Sequence, residues 1–125
     1  MILIISMLAI GLSIPVDNHD SVIPTKEIIK TFDTSPDSVR AYAHKASRGK
    51  GYSVKEWQCF DVLITRESHW HHNSVNGKHY GLGQVANMKK GTPVPKQLDV
   101  IFRYIKHRYG DSCTALRHSY RYQWY

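Results

Sequence analysis

The sequence predicts a mostly α fold with one irregular loop between two helices, on three observations. Apolar residues recur at helical spacing in two stretches: Trp57, Phe60, Leu63 and Ile64, then Leu98, Ile101, Phe102, Ile105 and Tyr109. Helix start and stop signals flank both stretches. No run of useful length alternates at the two-residue period of a strand, and nothing repeats.

In chain order, residues 1–20 read as a hydrophobic segment and a linker, and residues 21–125 as one domain. Met1 to Ile14 is rich in Ile, Leu and Ala and carries no charge. It falls short of the roughly 20 residues that span a bilayer, and its length suits the apolar part of a signal peptide. No Lys or Arg precedes it and no small-x-small site follows, so an uncleaved anchor or a core strand stays open beside export. Asp17–Asp20 is a polar linker, and Thr25 is placed to cap a short helix through Phe32. Ser35-Pro36 then gives a serine N-cap with proline at N1, opening a helix that Gly49-Lys50-Gly51 ends. Ser53-x-x-Glu56 forms a capping box for the next helix. Residues 71–92 read as irregular, with a hairpin about Asn76-Gly77. Pro93 and Pro95 bracket the following start, Gly110 is its C′ stop, and a last short helix begins after Asp111-Ser112.

On the second helix one residue breaks the pattern. At about 100° per residue, Glu67 falls in the apolar stripe of Trp57, Phe60, Leu63 and Ile64. A glutamate held there is partly desolvated, which raises its pKa and suits a general acid. The bland alternative is a helix-end glutamate that escapes to solvent. Asp61 and Thr65 lie on the opposite face, so neutralising Asp61 is expected to change little. Asp99 and Asp111 fall in later elements, which leaves Glu67 as the one well-placed carboxylate.

The whole chain narrows the partner. A 125-residue chain has room for one core, and 42% hydrophobic residues at ordinary charge density describe a globular protein. A formal charge of +7, with eight further histidines, points to an anionic partner. The basic residues are scattered, so charge alone does not define a nucleic-acid surface, and none is expected. Cys59 and Cys113 show no Cys-x-x-Cys spacing; they are either bridged to each other in an exported protein or two buried thiols.

Twelve residues beyond Ser68 the loop reaches Tyr80-Gly81-Leu82-Gly83-Gln84. With that segment the chain resembles the soluble lytic transglycosylases of the lysozyme superfamily, whose signature is Glu-Ser at a helix end followed by Gly-Leu-x-Gln. It is most similar to small secreted and phage-encoded members. The matching elements are Trp57-Gln58-Cys59, Arg66-Glu67-Ser68-His69-Trp70, Tyr104-Ile105 through Cys113, and Trp124-Tyr125, and the resemblance covers residues from about 36 to the C-terminus. The resemblance implies a compact lysozyme-like domain of the goose-lysozyme type, with a short irregular or hairpin loop after the catalytic helix. It implies a Cys59–Cys113 disulfide, because the small members carry a cysteine at both places.

By the same resemblance, Glu67 is the general acid/base that cleaves the β-1,4 bond between N-acetylmuramoyl and N-acetylglucosaminyl units and leaves 1,6-anhydro ends. Ser68, Tyr80, Gln84, Tyr104 and His118 are the candidate substrate-binding residues. Gly81 and Gly83 are expected to let the backbone approach sugar, and the aromatic cluster Tyr120, Tyr122, Trp124 and Tyr125 offers stacking faces. The Ala-Tyr-Asn-type third motif of the better-known enzymes is absent. No cofactor and no metal are expected: His69, His71, His72 and His79 lack a His-Glu-x-x-His or other ligand spacing. The implied partners are peptidoglycan strands and other anionic cell-wall polymers, met by a monomer that is secreted, wall-associated or virion-associated. A muramidase of the same fold and a non-catalytic wall-binding protein are the alternatives.

Overall fold

Helix punctuation carries over into structure almost residue for residue. The computed structural model describes residues 31–125, so the N-terminal hydrophobic segment and the helix expected from Thr25 lie outside the described residues. Four helices, α1 (Pro36–Gly49), α2 (Val54–Ser68), α3 (Val94–Tyr109) and α4 (Ser112–Tyr122), make the described part mostly α. Between α2 and α3 runs a small antiparallel sheet of β1 (Val75–Asn76), β2 (His79–Tyr80) and β3 (Val85–Ala86). Val75 pairs with Tyr80, and Tyr80 in turn with Val85. Gly77 takes φ +59 at the first position of the two-residue turn between β1 and β2, where a hairpin needs positive φ. None of the described helices is long and apolar enough to cross a membrane.

The caps show which sequence signals acted. Ser53 accepts the Glu56 N–H at 3.0 Å and Asp111 accepts the Thr114 N–H at 2.7 Å, each satisfying an orphan donor of a first turn. Ser35 stands at the N-cap of α1 without a side-chain cap bond. Asp33 does that work instead, accepting the Ser35 N–H at 2.9 Å and the Ser38 hydroxyl at 2.6 Å. Gly110, at φ +83, closes α3 with its N–H on the Ile105 carbonyl.

The apolar stripes meet in one core. Phe60, Leu63 and Ile64 of α2, Leu98, Ile101 and Ile105 of α3, and Leu82 of the loop are fully buried. Phe60 and Phe102 stack at 4.9 Å between centroids, and Trp57 and Trp70 lean on Phe60 from the side. Burying such side chains contributes about 1.5–3 kcal/mol each, the main favourable term in the fold. Between α2 and α4 the contact residues are small instead: Ala115 and Ser119 are buried on α4, which lets the two helices approach closely.

These two helices run parallel. Cys59 and Cys113 are joined by a disulfide near their N-terminal ends, with Cα atoms 4.9 Å apart. Arg66 meets Ser119 near their C-terminal ends. For a ring of this separation the loop-entropy model gives at most about 4 kcal/mol of stabilisation.

How α2 stops decides where Glu67 sits. His69 and Trp70 both adopt positive φ, +49 and +64. Left-handed backbone costs non-glycine residues about 1 kcal/mol or more each. Two contacts offset that cost: Trp70 is buried in the core, and its indole N–H donates to Asp61 Oδ1 at 3.0 Å. Asp61 also pairs with Arg40 of α1, whose Nε donates at 2.8 Å. Asp61 is therefore no idle surface carboxylate, contrary to its place on the helical wheel; the chain folds α1 and Trp70 onto that face.

The hydrogen bond from Arg40 holds the Asp61 carboxyl below its ordinary value of 3.8, against partial desolvation. A depressed folded pKa contributes stability above the unfolded value, and that stability is lost as pH falls through the folded value. Asp61→Asn should therefore lower stability at pH 7 by about 1 kcal/mol, a figure kept small by solvent screening. The difference should be smaller at pH 3, below the ordinary 3.8, because the unfolded chain there binds the proton more readily than the folded one. Thermal unfolding at the two pH values reads this; equal midpoints at pH 7 would show that the Asp61 contacts contribute nothing.

Candidate active site

Glu67 occupies the last turn of α2 and opens into a cleft of about 810 Å³. The sheet forms one wall through Asn76 and His79, and the end of α4 with the C-terminal tail forms the other through Ser119, Gln123 and Trp124. Among the described residues, Glu67 is the only carboxyl side chain on the lining. It is half-buried, and among the described residues it forms no ion pair. Burial pushes its carboxyl above the ordinary 4.5, while the positive charges of Arg66 and His79 pull it back. The arrangement thus favours a proton held on Glu67 in a polar, open cleft.

Two glycines explain the shape of the facing loop. A Cβ on Gly81 would lie 2.9 Å from the side-chain carbon of the Gln97 carboxamide, and one on Gly83 would lie 2.7 Å from Ile101 Cγ1. Their missing side chains let the loop pack closely against α3. Gln97 is the hub of that packing. It is wholly buried, its Oε1 accepts the Leu82 N–H, and its Nε2 donates to the carbonyls of His72 and Thr92, all at 2.9 Å. One side chain from α3 thereby fixes three points of the segment that walls the cleft. Nothing in the motif reading singled it out. The signal was present all the same: Gln97 lies four and eight residues before Ile101 and Ile105, a polar group on an apolar stripe, as Glu67 is.

The expected site residues divide into two groups. Glu67 and Gln84 share the main cleft. Gln84 takes φ +50 and donates its amide to the carbonyls of Ser74 and Gly81, at 3.0 and 2.9 Å, so it braces the sheet end while facing the cleft. Tyr104 lines an adjoining recess with Gln84, His79 and Tyr125, and its hydroxyl accepts from Arg108 at 3.1 Å.

Ser68, Tyr80 and His118 are placed as framework, outside the cleft lining. Ser68 is buried and donates to the Ile64 carbonyl one turn back. Tyr80 is buried, and its hydroxyl accepts the Gly91 N–H at 3.0 Å, pinning the loop that leads to α3. His118 holds the tail: Nδ1 lies 2.8 Å from the Trp124 carbonyl oxygen, and the ring packs against Tyr122 and Trp124. These polar groups face inward because backbone groups there need partners.

The tail completes the cleft in a way the motif did not foretell. Tyr125 donates its hydroxyl to the Gly83 carbonyl at 2.8 Å and packs its ring near Tyr104. Burial, and then the charge of Glu67, push its phenol well above the usual range, so it stays a neutral donor. Of the described histidines, His79 alone lines the cleft. Among the described residues no three His, Cys, Asp or Glu side chains gather as a metal site. Compared with protein-family models, with curated proteins and with solved structures, the chain matches none of them significantly.

Proposed function

We propose that this protein is a peptidoglycan lytic transglycosylase with Glu67 as its general acid/base, acting on glycan strands of the cell wall from a secreted, wall-associated or virion-associated position. The observation that carries the proposal is a half-buried carboxyl, raised in pKa, on the lining of a polar cleft where the described residues place no second carboxyl side chain. Glu67 delivers its proton to the leaving oxygen as the glycosidic C1–O bond breaks. The substrate's own N-acetyl group stabilises C1. The muramoyl 6-hydroxyl then attacks C1, and its proton returns to the Glu67 carboxylate, so no water is consumed.

Hydrolysis by the same fold is the second reading, and the lining argues against it. An inverting hydrolase uses a second carboxylate to activate water, and a retaining one without N-acetyl assistance needs it as nucleophile. An intramolecular hydroxyl avoids the entropy of fixing another reactant. Digests should therefore contain 1,6-anhydro-muramoyl ends, each lighter than the hydrolytic product by one water, about 18 Da, with few new reducing ends. Mass spectrometry of digested cell walls distinguishes the two. Mainly reducing muramoyl ends would replace this proposal with a muramidase.

A further inference from the structure

The cleft also holds a cation that this acid–base chemistry does not use. Arg66 lines it beside Glu67, and its guanidinium is held at two points. Nε donates to Ser119 Oγ at 3.3 Å, and the guanidinium carbon lies 4.2 Å from the centroid of the Tyr120 ring. Ser119 is 1% exposed, so that end of the clamp is fixed in packed structure. No carboxylate among the described residues pairs with Arg66; the ion pair there joins Arg40 and Asp61. With Nε committed, the two terminal nitrogens keep their N–H donors for a ligand.

A guanidinium stays charged at any working pH and matches the two oxygens of a carboxylate with parallel donors. Burial raises the Glu67 carboxyl above its ordinary value, which lessens the like charge that an anion at Arg66 meets. We propose that Arg66 binds a carboxylate on the side arm of the muramoyl unit, which makes the protein selective for strands with acidic side arms. The inference rests on the peptidoglycan reading above. In that polymer the sugar rings are neutral, and carboxylates sit on the lactyl ether where no peptide is attached, or on the stem peptide where one is. The charged and titratable groups acting on Glu67 are Arg66 from α2, His79 from β2 and Tyr125 from the tail. A carboxylate on Arg66 offsets one of the two positive pulls and favours the protonated acid as the substrate binds.

Two glycan preparations separate the carboxylate sources: peptide-bearing strands, and strands stripped of peptide by an amidase. Each is digested as such and after its carboxyl groups are capped as neutral amides. Capping should lower wild-type kcat/KM by about tenfold or more, chiefly through KM, as expected for a charge-assisted bidentate contact. A loss confined to stripped strands assigns the lactyl carboxylate, one confined to peptide-bearing strands the stem peptide, and a loss in both means that the site takes either. Arg66→Gln should bring the uncapped-to-capped ratio to about one, and Arg66→Lys should retain part of it. A ratio is unmoved by a general loss of active protein. A wild-type ratio near one in both preparations, or a wild-type ratio kept by Arg66→Gln, overturns the carboxylate site and leaves the cleaving activity standing. No cleavage of any preparation by the wild type removes both proposals.

Discussion

Glu67→Gln should reduce wall lysis by at least about a hundredfold, the lower end of what general acid catalysis contributes, while leaving the fold intact. The substitution keeps size and polarity and removes only the transferable proton. Zymography on purified cell walls, with circular dichroism of the same preparation, reads both halves of the expectation; lysis within tenfold of wild type would end the catalytic assignment. The same change should leave stability at neutral pH equal or higher. A carboxyl whose pKa rises on folding binds more protons in the folded state, so stability falls as pH rises through that range. Glutamine carries no such penalty. Activity and stability moving in opposite directions is the signature of a group kept for chemistry.

Gln97→Leu should have the largest effect on stability, about 3 kcal/mol, because it strands one buried and two part-buried backbone groups at about 1–3 kcal/mol each. The Leu82 N–H loses its acceptor, and the carbonyls of His72 and Thr92 lose their donor. Denaturant unfolding measures the loss. Wall lysis should fall with it although Gln97 does not line the cleft, since the segment it anchors carries His79 and Gln84. Gln97→Glu is the sharper control: it keeps the acceptor for Leu82 and turns the donor into a repelled oxygen, so it should fall nearly as far. A stability loss under about 1 kcal/mol in both variants would mean that the loop holds itself without this hub.

Helices were legible wherever one local signal sufficed. The Trp57–Ile64 stripe, Pro93 with Pro95, Gly110 and the Asn76-Gly77 turn each specify their own backbone, and each element stands where its signal lies. Glu67 was legible because a charge on an apolar stripe is anomalous without any partner being known. The rest depends on contacts between distant segments. Ser68 and Tyr80 are polar residues beside the motif, but whether they face a ligand or the framework turns on where Ile64 and Gly91 present backbone groups. Asp61 looked exposed on its own helix because the wheel carries no record of Arg40 or of Trp70 folding back. No glycine announces the double left-handed turn at His69 and Trp70; tertiary burial of the indole imposes it. The tail wall is illegible for the same reason, since Tyr125 finds Gly83 across 42 residues.

The parallel pairing of α2 and α4 gives the bridge between them a mechanical meaning. Cys59 stands eight residues before Glu67, about 12 Å along the axis, and Cys113 six residues before Ser119, about 9 Å. The covalent link therefore works as the rivet of a pair of tongs whose jaws are the acid on one arm and the tail wall on the other. Arms that short convert a splay of ten degrees into only about 2 Å of jaw opening. Cys59 and Cys113 thereby limit how far Glu67 and the tail wall can part, and the Arg66–Ser119 hydrogen bond joins the same two helices beside the cleft.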